Sequence, residues 1–201
     1  MSFGISGHEG YFQRNFKTAR QYRAYCPFDS AKETLMPLFT PTQRATWSIW
    51  LFGKTKIPIL AYCRPKVIEI DDEHCAIRIA LRRRTHNHLK SMYFGVLAIG
   101  ADLAGGFIAM ELIRKRKLKI SLVFKDFHAE FLKRAEGDVT FTCSQGTAIE
   151  AAIQETVATG ERVNLPVFVT ATVLEQNEVV PVAEMTLTLS VKFRGNEQIP
   201  A

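Results

Sequence analysis

From Lys56 onward the hydrophobic pattern turns to a period of two, apolar and polar positions alternating along its extended stretches. Cys75, Ile77, Ile79 and Leu81 interleave with Ala76, Arg78, Ala80 and Arg82, which predicts a strand with one buried face. Residues 57–70 precede it as a long apolar run broken at Pro65, read as an extended segment with a bulge or edge position at the proline. Asp71, Asp72 and Glu73 form a polar turn that would join the two as a hairpin. Leu118, Ile120, Leu122 and Phe124 share one face of a third strand, and Val139, Phe141 and Cys143 one face of a fourth. Two long strands close the series. Val163, Leu165, Val167, Val169, Ala171 and Val173 line one, and Ala183, Met185, Leu187, Leu189, Val191 and Phe193 line the other.

Helical spacing occupies the remainder. Residues 11–25 set Arg14, Lys17, Arg20 and Arg23 among Phe12, Phe16, Ala19 and Tyr22, an amphipathic pattern. Ser30 and Glu33 form a capping-box pair ahead of a short helix that Pro37 stops. Thr40 and Gln43 repeat the pair, with Pro41 at the first helical position and an expected end at Gly53. Thr147 and Glu150 should cap a helix ending near Gly160. Residues 92–113 form the longest and most apolar helix of all.

Each predicted strand has one wet face, so the sheet has one dry face that something apolar must cover. Only the helix at 92–113 has the length and character to do so. The expected architecture is α+β: an antiparallel sheet of about six strands wrapped around a long central helix. Residues 1–54 would be an N-terminal helical extension and residues 55–196 the sheet-and-helix domain.

Composition narrows the setting. The 201 residues are 47% hydrophobic, ordinary for a globular chain with a sizeable core. The net charge of +6 is compatible with polyanionic partners without selecting one, and nucleic acid, which rests on charge alone, is not expected. The four cysteines, Cys26, Cys63, Cys75 and Cys143, have no paired spacing and read as free thiols. The start MSFGISGHEG lacks the pattern of a signal peptide, and a cytoplasmic location is expected. Residues 92–110 approach membrane-spanning length, but Asp102 and four glycines (Gly95, Gly100, Gly105 and Gly106) make a poor solitary span. For residues 11–25, packing on the body is preferred to contact with a membrane surface.

The candidate chemistry lies in NHLKSMYFGVLAIGADLAGG, residues 87–106. Asp102 sits in the apolar helix, and its neighbours three and four residues away are Ala98, Ile99, Gly105 and Gly106, so no local cation can pair with it. Glu111, by contrast, has Arg114 and Lys115 at those spacings. Ser91 is placed to cap the helix. Ala98, Ala101, Gly105 and Ala109 make a small-residue stripe that would admit a second backbone. His86 and His88 flank Asn87, but no further ligands accompany them, and neither a metal nor a cofactor is expected.

The same stretch resembles the acyl-CoA thioesterases of the phenylacetate-pathway type, whose motif N-x-x-G-x-x-H-G-G is followed after six residues by an acid in the central helix. Asn87, Gly95 and Asp102 fall at the family's spacing, and GADLAGG resembles its A-D-x-A-x-G. Lys90 replaces the first glycine of the motif, and Tyr93 and Phe94 replace its His-Gly, as in a divergent, thioesterase-like branch of unknown function. The resemblance covers residues 55–195 and implies the hot-dog fold. It further implies hydrolysis of an acyl-CoA or acyl-carrier-protein thioester, with Asp102 as base or nucleophile and the amides of Phe94 and Gly95 polarising the carbonyl. Asn87 would fix water or substrate, and Tyr93, Phe94 and Ser91 would contact substrate. A homodimer or dimer of dimers, with sites built from two subunits, is also implied. Arg82, Arg83, Arg84, Lys125, Lys133 and Arg134 are candidates for the phosphates of CoA. The departures at Lys90, Tyr93 and Phe94 keep a non-catalytic acyl-binding protein as the alternative.

Overall fold

A computed structural model describes residues 40–195, all of which fall within the compact unit Phe39–Ala201. The expected helices around residues 11–25 and after Ser30 lie outside the described residues, as does Cys26.

The Thr40 capping box forms: its hydroxyl accepts from Gln43 N at 3.2 Å, and Gln43 Oε1 accepts from Thr40 N at 2.8 Å. With Pro41 at the first position this starts α1, Pro41–Thr55, which passes through Gly53 instead of ending there. A Cβ on Gly53 would lie 2.7 Å from the backbone nitrogen of Ala61, so this glycine serves a close crossing with the next helix. That helix is a correction to the sequence reading. Residues 58–63 are not extended but form α2, Pro58–Cys63, opened by Pro58 and closed by Arg64 in the left-handed region at φ 52°. A six-residue apolar run is too short for its period to separate helix from strand.

Pro65 then precedes β1 (Lys66–Ile70), an edge strand with a bulge between Val67 and Glu69, and β1 forms the expected hairpin with β2 (Cys75–Ile79). The central helix is α3, Phe94–Lys115, followed by β3 (Ile120–Phe131) and β4 (Val139–Cys143). After α4 (Gly146–Thr159) come the long strands β5 (Arg162–Glu175) and β6 (Glu178–Phe193). The six strands make one antiparallel sheet in the order β1-β2-β4-β5-β6-β3. The apolar faces expected for β5 and β6 are the buried ones.

The sheet wraps α3, and the fit is set by glycines. Gly100 lies against the ring of Phe141 on β4, Gly105 against Val167 and Val169 of β5, and Gly106 against Phe124 of β3. Ala101, Ala104 and Ala109 are fully buried beside them. Of the small-residue stripe, Gly105 therefore meets the sheet's own side chains and Ala101 and Ala109 are buried beside it, while Ala98 is half-buried. α3 is long and apolar enough to cross a membrane, but 67% of its most apolar window is buried inside the protein, as befits a core helix.

α4 corrects a second expectation. Thr147 and Glu150 do not form a capping box, since the N-cap is Gln145 and it makes no side-chain cap. Instead Glu73, in the β1–β2 turn, accepts from the Thr147 amide at 2.7 Å and from its hydroxyl at 2.6 Å. Those bonds hold the Glu73 carboxyl below its usual range. Glu150 pairs with Arg116 at the end of α3. The helix ends as expected at Gly160, at φ 70°. Cys63, Cys75 and Cys143 are free and buried, the latter two directly opposite across β2 and β4.

Candidate active site

The loop leading into α3 is organised by three polar side chains. Thr85, fully buried, accepts from Arg82 N at 2.8 Å and donates to Ala80 O at 2.7 Å, closing the turn after β2. Two residues on, Asn87 Oδ1 accepts from Leu89 N at 2.9 Å and Ser91 N at 3.3 Å, while its amide donates to Ser91 Oγ at 3.1 Å. Ser91 is thus committed to Asn87 and does not cap α3. The N-cap is Tyr93, which makes no side-chain cap. Within this loop Lys90 has φ 63°, the left-handed conformation that glycine adopts without cost, so the turn keeps a glycine-type backbone although a lysine occupies it.

Tyr93 N donates to Thr85 O at 2.9 Å and Met92 N to Ala135 O at 2.8 Å, pinning the start of α3 to the loop and to the chain after β3. The Tyr93 carbonyl accepts from Val96 and Leu97, leaving the amides of Phe94 and Gly95 with no partner among the described residues. These are free donors at the positive end of the helix dipole. The Tyr93 ring covers Gly95, its Cε1 2.6 Å from where a Cβ would be, and tilts against Phe94 at 4.8 Å between ring centres. Both rings are exposed.

A groove of about 560 Å³ opens beside this terminus, lined by Asn87, Ser91, Tyr93 and Phe94 together with Phe131 and Leu132 from the end of β3. Two of the cations considered for CoA phosphates, Lys133 and Arg134, also line it, paired to Glu175 at 2.6 Å and Glu136 at 2.7 Å. Arg82 instead faces Asp138 at 3.8 Å. The alternation that marks the third strand in the sequence stops at Phe124 and does not reach Phe131 and Leu132. Their apolar character at the close of a polar edge strand was the available signal.

Gly95 and Asp102 do not line the groove. Gly95, Ala98, Ile99 and Asp102 are half-buried along the side of α3 that the sheet leaves open. Asp102 has no hydrogen bond and no ion pair with any described residue, and burial pushes its carboxyl above the usual range. At 1.5 Å per residue it lies about 10 Å along the axis from Gly95. One reacting carbonyl cannot touch both the carboxylate and the terminal amides of the same chain. Among the described residues no cluster of His, Cys, Asp or Glu is arranged to hold a metal.

Solved structures share this architecture. A Chlorobaculum tepidum protein of unknown function superposes with a TM-score of 0.65 at 11% identity, over 76% of this chain and 97% of its own. A Pseudomonas aeruginosa protein of unknown function, named a probable thioesterase, gives 0.62 at 21%, over 77% and 97%. A Haemophilus influenzae thioesterase gives 0.53 at 14%, over 81% and 97%. Such identities establish the fold alone, the hot-dog arrangement of an antiparallel sheet wrapped around a long central helix. Residues 46–191 match the domain of unknown function DUF4442, and the chain belongs to that family. No curated protein sequence matches it.

Proposed function

We propose that this protein hydrolyses an acyl thioester of CoA or of an acyl carrier protein, through its hot-dog domain, as a cytoplasmic homodimer or dimer of dimers. The observation that carries the reading is Asp102: a half-buried carboxylate with no partner among the described residues, raised toward a useful range for a general base, on the open side of the core helix. The Phe94 and Gly95 amides supply what a thioester oxygen needs as charge develops on it. Because about 10 Å separates the two within one chain, Asp102 of one subunit works opposite the helix terminus of the other.

As base, Asp102 takes a proton from water, the hydroxide adds to the thioester carbon, and the C–S bond breaks as the thiolate takes the proton back. As nucleophile, its oxygen displaces the thiolate to give an anhydride that water then cleaves. The open edge of β3 supports the pairing of subunits. Val123, Phe127 and Phe131 are exposed along it, and it leads directly into the groove. Asn87, tied to Ser91, acts by shaping the loop and by presenting its second amide hydrogen to substrate or water.

Asp102→Asn is expected to abolish hydrolysis across a panel of acyl-CoA chain lengths, a loss of about 10²–10⁴-fold, with the sedimentation coefficient unchanged. Full-rate hydrolysis by the variant would refute the assignment. The Tyr93 ring on Gly95 favours one second reading, an acyl-binding protein without turnover. Bound fatty acyl ligand in the purified protein, with no hydrolysis of any ester in the panel, would select it.

A further inference from the structure

The helical corner formed by α1 and α2 has a composition that the site at α3 does not use. α1 buries Ala45, Ile49 and Gly53 against the body, yet its outer side is also apolar. Trp47, Trp50 and Leu51 are exposed there, Trp47 to 62%, with the indoles stacked 4.7 Å apart. α2 repeats this, burying Leu60 and Cys63 while exposing Ile59 and Tyr62, and Ile57 is exposed between the two helices. Interspersed are Arg44, Lys54, Lys56, Arg64 and Lys66, all exposed, and from residue 40 to residue 68 there is no Asp or Glu. None of the five cations forms an ion pair with a described carboxylate. Lys54 lies 5.8 Å above the ring of Trp50.

Arg44, Trp47, Leu51 and Lys54 follow one line along α1, at helical spacing. Beside them is a groove of about 510 Å³ in which Arg114 and Lys115 are neutralised by Glu111 and Asp72, whereas Arg44 is not. Exposed indoles and a phenol among aliphatic side chains, ringed by unneutralised cations, match the boundary between lipid headgroups and acyl chains. Amphipathic rings rest there, long basic side chains reach the phosphates, and an anionic surface supplies the missing negative charge.

We propose that the α1–α2 corner docks this protein on an anionic lipid surface, with Trp47, Trp50 and Leu51 in the interface and Arg44, Lys54 and Lys56 on the headgroups. The inference does not depend on the role of Asp102. If the hydrolytic reading holds as well, docking brings the groove to acyl thioesters whose chains partition into membranes.

The chain has only two tryptophans, and both are on α1, so tryptophan emission, excited selectively over that of tyrosine, reports this surface alone. Full-length protein is mixed with phosphatidylserine-containing vesicles, with phosphatidylcholine vesicles, and with vesicles carrying brominated acyl chains. The expected result is cosedimentation with the anionic vesicles, a blue shift of tryptophan emission, and quenching by the brominated chains. Lys54→Gln with Lys56→Gln keeps both reporters and should weaken partitioning about 25-fold, at about fivefold per cation. Leu51→Gln should weaken it further without changing far-ultraviolet circular dichroism.

Three results would overturn the proposal. One is the absence of any blue shift with anionic vesicles. Another is vesicle binding that leaves the tryptophans unquenched and is indifferent to Lys54 and Lys56, which would move the contact to residues 11–25. The last is emission already blue and shielded from acrylamide without lipid, which would mean that residues 1–38 or a second copy covers the face.

Discussion

Gly100 offers a test in which helix propensity and packing predict opposite signs. It lies in α3, where exchanging glycine for alanine should gain about 1 kcal/mol from the backbone alone. A Cβ there would lie 2.3 Å from Cε2 and Cζ of Phe141, whose side chain is fully buried on β4. That is about 1.2 Å short of carbon–carbon contact. Either the ring leaves its rotamer, at about 0.5–1.5 kcal/mol, or the helix lifts from the sheet with an overpacking cost of about 1–3 kcal/mol. With the helix gain subtracted, the net expectation is a loss of up to about 2 kcal/mol, or up to about 8 °C in Tm for a chain of this size. Gly105→Ala is the internal control. Its nearest neighbours would be a Val167 methyl at 3.3 Å and a Val169 methyl at 3.5 Å, which a slight rotation relieves. It should match or exceed wild type. The assay is urea unfolding at fixed protein concentration, followed by circular dichroism. If Gly100→Ala is as stable as wild type, or if the two variants lose equally, the glycines are not setting the distance between helix and sheet.

Three other outcomes follow from local observations. Burial raises the Asp102 carboxyl, so whatever this group contributes to stability is greatest while it is protonated and is lost as pH rises through its folded pKa. Asp102→Asn should therefore melt above wild type at pH 7–8, with the gap closing toward the usual carboxylate pKa of about 4. A gap independent of pH, or a wild type that is the more stable at neutrality, would mean that the carboxylate has a partner. Burial pushes the thiols of Cys75 to about 12 and Cys143 to about 11. Neither should react with a disulfide reagent at pH 8 faster than the protein unfolds, and rapid labelling of either would contradict their burial. Lys90→Gly relieves the left-handed backbone of the α3 entry loop and should raise stability by about 0.5–1 kcal/mol, read as a higher urea midpoint. A lower one would show that the lysine side chain supports the loop.

The sheet was legible because its inner strands bury one face against α3, which writes a period of two into β2, β4, β5 and β6. α2 was not, since PILAYC is apolar throughout and only Pro58 and Arg64 mark its ends. β3 runs to Phe131, beyond the alternation that marks it up to Phe124, because an edge strand carries Lys125, Asp126 and His128 where an inner strand would carry apolar residues. The isolation of Asp102 could be read from four neighbours on its own helix. The commitment of Asn87 to Ser91 and the cover of Tyr93 over Gly95 depend on loop geometry that spacing does not encode. The first turn of α4 was misassigned for a plainer reason. The carboxylate that binds Thr147 comes from Glu73, 74 positions earlier, and no local pattern can find it.

The strand order also has a consequence for the chain as it leaves the ribosome. Among the described residues β3 pairs with β6 alone, so residues 120–131 find no strand partner there until residues 178–193 have been made. At about 5–20 residues per second that is a wait of several seconds, during which both edges of β3 and one flank of α3 stand open. A transcript broken anywhere before β6 leaves an unpaired strand bearing Val123, Phe127 and Phe131, a ready substrate for chaperones or proteases. Frameshifts late in the reading frame should therefore be as damaging as early ones.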